Sequence, residues 1–126
     1  MGNRAVICLK DNNKQNTVND DDLGIYLHWH GSESDVQSFL DVTRDLMSDR
    51  LGDTVYGKAR LLGVIHESIK GNLSLGLDKC KYLDTENYDN GTYIVDCSKM
   101  EIIHQECLHF DSPELEYMEV NNNERF

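Results

Sequence analysis

Between Gly24 and Ser32 the chain reads Gly-Ile-Tyr-Leu-His-Trp-His-Gly-Ser. Strict alternation places Ile25, Leu27 and Trp29 on one face of a strand and Tyr26, His28 and His30 on the other. Gly31-Ser32 can then open a helix. Trp29 is the only tryptophan, and an indole supplies more contact area than any other side chain. This pattern predicts a strand whose apolar face, Trp29 included, is buried under the elements downstream of it.

The next forty residues have helical spacing. Ser32 or Ser34 can cap a helix running to about Asp49, with Ser32 and Asp35 at the offset of a capping box. Val36, Phe39, Leu40, Thr43, Leu46 and Met47 make one apolar stripe, and Asp35, Asp41, Asp45 and Asp49 lie largely off it. Gly52-Asp53 breaks the pattern. Thr54 is then expected to cap a second helix to about Lys70, lined on one side by Val55, Ala59, Leu62, Ile65, His66 and Ile69. Gly57 and Gly63 each cost roughly 1 kcal/mol in a helix interior, so both point to close packing against a neighbour. Trp29 is expected to lie against both stripes.

The other elements are strands. Arg4–Lys10 is short, apolar and β-branched. Asp11–Asp22 is a polar loop ending in three consecutive Asp. Asn72–Asp78 alternates, with Leu73, Leu75 and Leu77 inward. Asn90-Gly91 is a hairpin signal before the strand Thr92–Cys97, and Met100–His104 is its expected antiparallel partner. Ser112-Pro113 followed by Glu114–Glu119 resembles a short capped helix. The order ββααβββ predicts an α+β fold with a mainly antiparallel sheet and two helices on one face. Residues 1–104 form one domain on this reading, and 105–126 an acidic C-terminal extension.

Chemistry is harder to find. Asp20-Asp21-Asp22 lacks the alternating ligands and distal Glu of a calcium loop. His28 and His30 have a chelating spacing, but a third ligand would have to come from His66, His104, Cys107 or His109. His66-Glu67 begins a zincin motif that fails at Lys70. Cys8, Cys80, Cys97 and Cys107 are widely spaced, and no local pattern ties one to a histidine. No phosphate-binding glycine loop or G-x-S-x-G is present. No apolar run approaches a membrane span and no export signal opens the sequence, which places the chain in the cytoplasm with reduced thiols. These readings imply no enzyme, no cofactor and no metal.

Charge is the strongest global feature. Twenty-three acids against 12 bases give a net charge of −11. Residues 101–126 alone hold seven acids and one base, Arg125. Such a field repels nucleic acid and membrane surfaces and favours a basic protein partner. Carboxylates of Asp35, Asp41, Asp45, Asp49, Glu114, Glu116 and Glu119 have the separations needed to fill a Lys/Arg groove that normally holds nucleic acid. A solvated helix face has the same pattern. A second reading uses the Tyr26/His28/His30 face, where a phenol and two imidazoles can stack on a base and bond a phosphate, as a small-ligand or nucleotide-binding module.

Several segments carry a family likeness. Tyr26-Leu27-His28-Trp29-His30-Gly31, Asp35-Val36 and Phe39-Leu40 are similar to a "YLHWNGG…SV…FL" pattern. Tyr56-Gly57, Ala59-Arg60-Leu61 and Gly71-Asn72-Leu73-Ser74-Leu75-Gly76 resemble "YGxARL" and "GGxLSxG" segments. Leu83-Asp84-Thr85, Asn87 and Asp89–Val95 resemble "LDT…N…DNGTYII". The pattern is that of small acidic proteins of phages and bacterial integrative elements. It spans roughly residues 4–104 and departs at His30, where the pattern has Asn, and in the 11–22 loop. The resemblance implies a mobile-element accessory protein, some of whose kind act against host defence, with anti-CRISPR inhibitors the commonest sort. It brings no catalytic residue with it.

Overall fold

The structure, a computed structural model, describes residues 2–69 and 74–107. It is α+β. Strands β1 (Ala5–Lys10) and β2 (Leu23–Leu27) precede helices α1 (Glu33–Met47) and α2 (Thr54–Ser68), and strands β3 (Leu75–Lys79), β4 (Thr92–Asp96) and β5 (Glu101–Glu106) come after them. The expected order ββααβββ is therefore present. The strands form one sheet ordered β3-β2-β1-β4-β5. Three pairings are antiparallel, but β1 and β4 at its centre run parallel, so the sheet is mixed.

The parallel pair overturns the hairpin expected at Asn90-Gly91. No antiparallel strand precedes that turn; the chain arrives there from a loop that has crossed the sheet from β3. Buried Asn87 organises the crossing. Its amide nitrogen donates to the Asp84 and Gly91 carbonyls at 2.9 and 3.0 Å, and its oxygen accepts from the Asn90 and Gly91 amides. Gly91 has φ 68°, and a Cβ there would collide with the Glu106 backbone. Glycine is required at this point by both conformation and space.

One face of the sheet carries the helices. Ala5, Ile7, Leu9, Ile25, Leu27, Tyr93 and Val95 pack against Val36, Phe39, Leu40 and Met47 of α1 and Leu61, Val64 and Ile65 of α2. Helix α1 starts as expected, with Ser32 Oγ accepting from the Asp35 amide. Its stripe holds except at Leu46, which is 51% exposed. Helix α2 departs further. Its cap is Asp53, whose carboxylate accepts from the Tyr56 amide, in place of the expected Thr54. Its buried face is Gly57, Leu61, Val64 and Ile65, which turns Val55 outward to 80% exposure and leaves His66 exposed. The Asp53 cap and the tight seat at Gly57 set this rotation. A Cβ on Gly57 would lie 2.8 Å from Met100 Cε and 2.9 Å from Met47 Cε. Gly63, expected to pack closely too, has nothing within 4 Å of where a Cβ would stand, beyond its own helix.

The expected burial of Trp29 also fails, since the indole is 41% exposed. β2 ends at Leu27 and the chain bends at His28 and Trp29, so it has left the strand by the third apolar position. The large aromatic side chain in the core is Tyr93, fully buried in the cluster with Val36, Phe39 and Leu40, and its hydroxyl donates to the Gly31 carbonyl at 2.8 Å. The same phenol is held protonated by burial, its pKa pushed up to about 12.

Candidate functional site

Among the described residues, no α-helix covers the opposite face of the sheet. Val6, Cys8 and Ile94 are covered there by Val18, Leu83 and Cys80 of the 3-10 turn Cys80–Tyr82. Gly24, paired with Cys8 across β1 and β2, makes room for this cover, because a Cβ on it would lie 2.8 Å from Cys80 Sγ. Beside the cover, Asp22 gathers a nearly enclosed polar knot. One carboxylate oxygen accepts from Lys10 Nζ at 2.6 Å, the Asn19 amide at 2.8 Å and the Cys8 thiol at 3.3 Å. Burial works against ionisation of Asp22, but these three donors outweigh it and hold the carboxyl below its ordinary range. Cys8 is pushed the other way, by its contact with Cys80, by burial and by Asp22, and stays a thiol.

A cleft of about 760 Å³ opens along this face between the 80–86 segment and strands β4 and β5. Its wall carries Asp20, Asp84, Glu86 and Glu106 against Lys81 and His104. That balance disfavours a phosphate and suits a cationic group. Arg4 braces one side: its guanidinium lies 2.9 Å from Asp89 and 3.4 Å from Asp84. The bond from Arg4 lowers the pKa of Asp89. Among the described residues no three His, Cys, Asp or Glu side chains are arranged to hold a metal.

The residues singled out from the sequence are divided by the fold. Tyr26 and His28 do meet, with the phenol oxygen 2.9 Å from His28 Nδ1, and the imidazole and Trp29 rings stand nearly perpendicular with centroids 5.3 Å apart. His30 leaves them, because its left-handed backbone sends the ring toward α1, where Nδ1 lies 3.6 Å from Asp35. Asp41 and Asp45 are exposed one helical turn apart on α1, and Asp49 lies beyond them in the 3-10 turn Ser48–Arg50. Asp35 projects about a quarter to a third of a turn away from that pair. Asp41 is partly neutralised by Arg44 at 3.3 Å. Glu114, Glu116 and Glu119 lie outside the described residues, as does the helix expected there.

Sequence reasoning missed the Asp22 knot and the structural role of Asn87. Asp22 sits at the end of an Asp triplet that reads as solvated loop, and only the pairing of β1 with β2 brings Lys10 and Cys8 to it. Comparison with protein-family models, with curated proteins and with solved structures gives no match. No helix among the described residues is long and apolar enough to cross a membrane.

Proposed function

We propose that this chain is a mobile-element-encoded inhibitor of a bacterial defence system, of the anti-CRISPR sort. It acts in the host cytoplasm, without catalysis, by binding a basic, nucleic-acid-recognising surface of a CRISPR effector. The observation that carries the reading is the net charge of −11 together with Asp41, Asp45 and Asp49 standing in solvent along and beyond one face of α1. Carboxylates on a rigid helix can replace phosphates in a Lys/Arg groove, and their contribution falls with added salt. Exposed Trp29 near the start of the same helix supplies the apolar anchor that charge alone lacks, since Trp is enriched among interface hot spots.

Binding of the purified chain to guide-loaded effectors, followed by competition with labelled target DNA, tests this. The triple variant Asp41→Asn/Asp45→Asn/Asp49→Asn is expected to weaken inhibition by about tenfold or more at low salt. Binding that leaves DNA affinity untouched overturns the mimicry, and no binding to any effector overturns the inhibitor reading.

A second reading rests on the Tyr26–His28 pair beside the exposed indole, a surface able to stack on a base. Thermal-shift measurements with nucleotides and divalent metals separate it from the first. No shift with any of them retires it.

A further inference from the structure

The two edges of the sheet differ in how open they are to another strand. At the β5 edge the pairing with β4 is irregular between Ile94 and Val95, and the strand carries Glu101, His104, Gln105 and Glu106. Charge and irregularity of this kind protect an edge. The β3 edge reads Leu-Gly-Leu-Asp-Lys in unbroken register with β2. Leu77 is 49% exposed there, beside an apolar groove of about 440 Å³ that Leu62 and Gly63 of α2 share with Leu75 and Leu77.

The direction of the backbone groups is set by two bonds. The His28 amide donates to the Ser74 carbonyl, and the Cys80 amide donates to the Asp22 carbonyl. In an antiparallel pair bonded residues alternate, so Ser74, Gly76, Asp78 and Cys80 address β2. Leu75, Leu77 and Lys79 therefore turn their N–H and C=O groups to the outer edge, where no described strand pairs with them. One of those groups is already engaged: the Lys79 amide donates to its neighbour's carboxylate, Asp78 Oδ1, at 2.8 Å.

We propose that the occupant of this edge is β3 of a second copy, antiparallel about a two-fold axis through Leu77. The segment is self-complementary in that register. Leu77 meets its mate, Leu75 stands opposite the aliphatic stem of Lys79, and Gly76 stands opposite Asp78 and leaves space for its carboxylate. All three edge-facing residues fall at hydrogen-bonded positions, which no shift of register by one residue preserves. The result is an isologous interface that joins two five-stranded sheets into one. An interface built on five residues a side falls in the small, transient class below about 1,200 Å². Asp78 weakens it further by competing for the Lys79 amide. The dimer is thus independent of the acidic α1 surface proposed above to meet a partner.

Sedimentation of the full chain over a wide concentration range tests the proposal. The wild type is expected to pass from monomer to dimer as concentration rises to about 1 mM. Leu77→Lys, which places like charges on the axis, abolishes the transition. Asp78→Ala frees the Lys79 amide on both copies and shifts the midpoint to concentrations about tenfold lower. Leu77→Cys provides a check that does not depend on the lysine variant folding. The native thiols are all buried, so a short bis-maleimide joins the variant into a dimer through position 77. A wild type still monomeric at about 1 mM overturns the proposal, including one that takes up an extended peptide at the same edge. So does a dimer that Leu77→Lys leaves intact, or a Leu77→Cys chain that fails to cross-link.

Discussion

On one face of the sheet two helices cover Ile7, Ile25, Leu27 and Tyr93 with Leu40, Leu61 and Ile65; on the other, a 3-10 turn and a loop cover Val6, Cys8 and Ile94. The first face is closed mainly by apolar area. The second has fewer apolar side chains, and the polar knot of Lys10, Asp22 and Cys8 lies beside them. Helices bring a continuous stripe to a sheet, whereas a loop brings single residues and must satisfy its own backbone as well. The helical face therefore has redundancy, and the loop-covered face depends on a few polar contacts.

The largest expected effect is on the helical face. Leu40→Ala removes a fully buried side chain and is expected to cost about 2–5 kcal/mol, read from the shift in urea midpoint. On the other face Asp22→Ala leaves Lys10 without a counter-ion. The expected cost is about 2–3 kcal/mol, less than a fully enclosed pair because Asp22 keeps some exposure. A double-mutant cycle with Lys10→Met measures the coupling, and simple additivity would mean that the knot does not hold the loop. The same carboxyl sets a pH signature. Its folded pKa lies below the unfolded value of about 3.9, so its contribution is present above that value and is lost as pH falls through the folded pKa. Urea midpoints recorded from about pH 6 to about pH 2 are expected to fall less steeply in Asp22→Ala than in the wild type.

Two glycines of α2 probe the helical face on a finer scale. Gly57→Ala pushes a methyl against the buried Cε ends of Met47 and Met100 and toward the Cys97 carbonyl, and is expected to destabilise by about 1 kcal/mol once the helix-propensity gain of alanine is set against the crowding. Gly63→Ala meets nothing and is expected to stabilise by about 0.5–1 kcal/mol through helix propensity. Calorimetric melting of the pair gives both signs in one experiment. The smallest effect is expected at Trp29. Trp29→Ala should stay within about 1 kcal/mol of the wild type, as an exposed position does, and the wild-type indole should fluoresce at the red wavelengths of a wet environment. A loss of about 3–5 kcal/mol would return the indole to the core.

The local elements were readable from periodicity because each is specified by its own neighbours. Ala5–Lys10, the Ser32 cap and the stripe from Val36 to Met47 all carry their signal within a few residues. The features that could not be read were set by distant residues. Trp29 has the parity of Ile25 and Leu27, yet β2 ends at Leu27 and the bend at His28 and Trp29 breaks the alternation. Asn90-Gly91 has hairpin chemistry, but Asn87 and the Glu106 backbone turn it to a different use. The apolar residues of α2 permit more than one buried face, and Met47 and Met100 select the one centred on Gly57 and Leu61. At the candidate site, the exposure of Asp41 and Asp45 is dictated by the helix period. The Tyr26–His28 contact comes from strand parity, and the separation of His30 from both does not.

The parallel pairing of β1 with β4 has a consequence for the order in which the molecule assembles. Both helices and β3 lie between Val6 and Thr92 in the sequence, so β1 and β4 close the longest loop in the sheet. Such a closure carries its entropic cost before its contacts reward it, and it slows folding relative to local hairpins. During synthesis β1 leaves the ribosome early and waits with one side unpaired until β4 emerges. The first ninety or so residues hold a helical hairpin and an unfinished sheet, so completion of the sheet by β4 and β5 is expected to be a late step in folding.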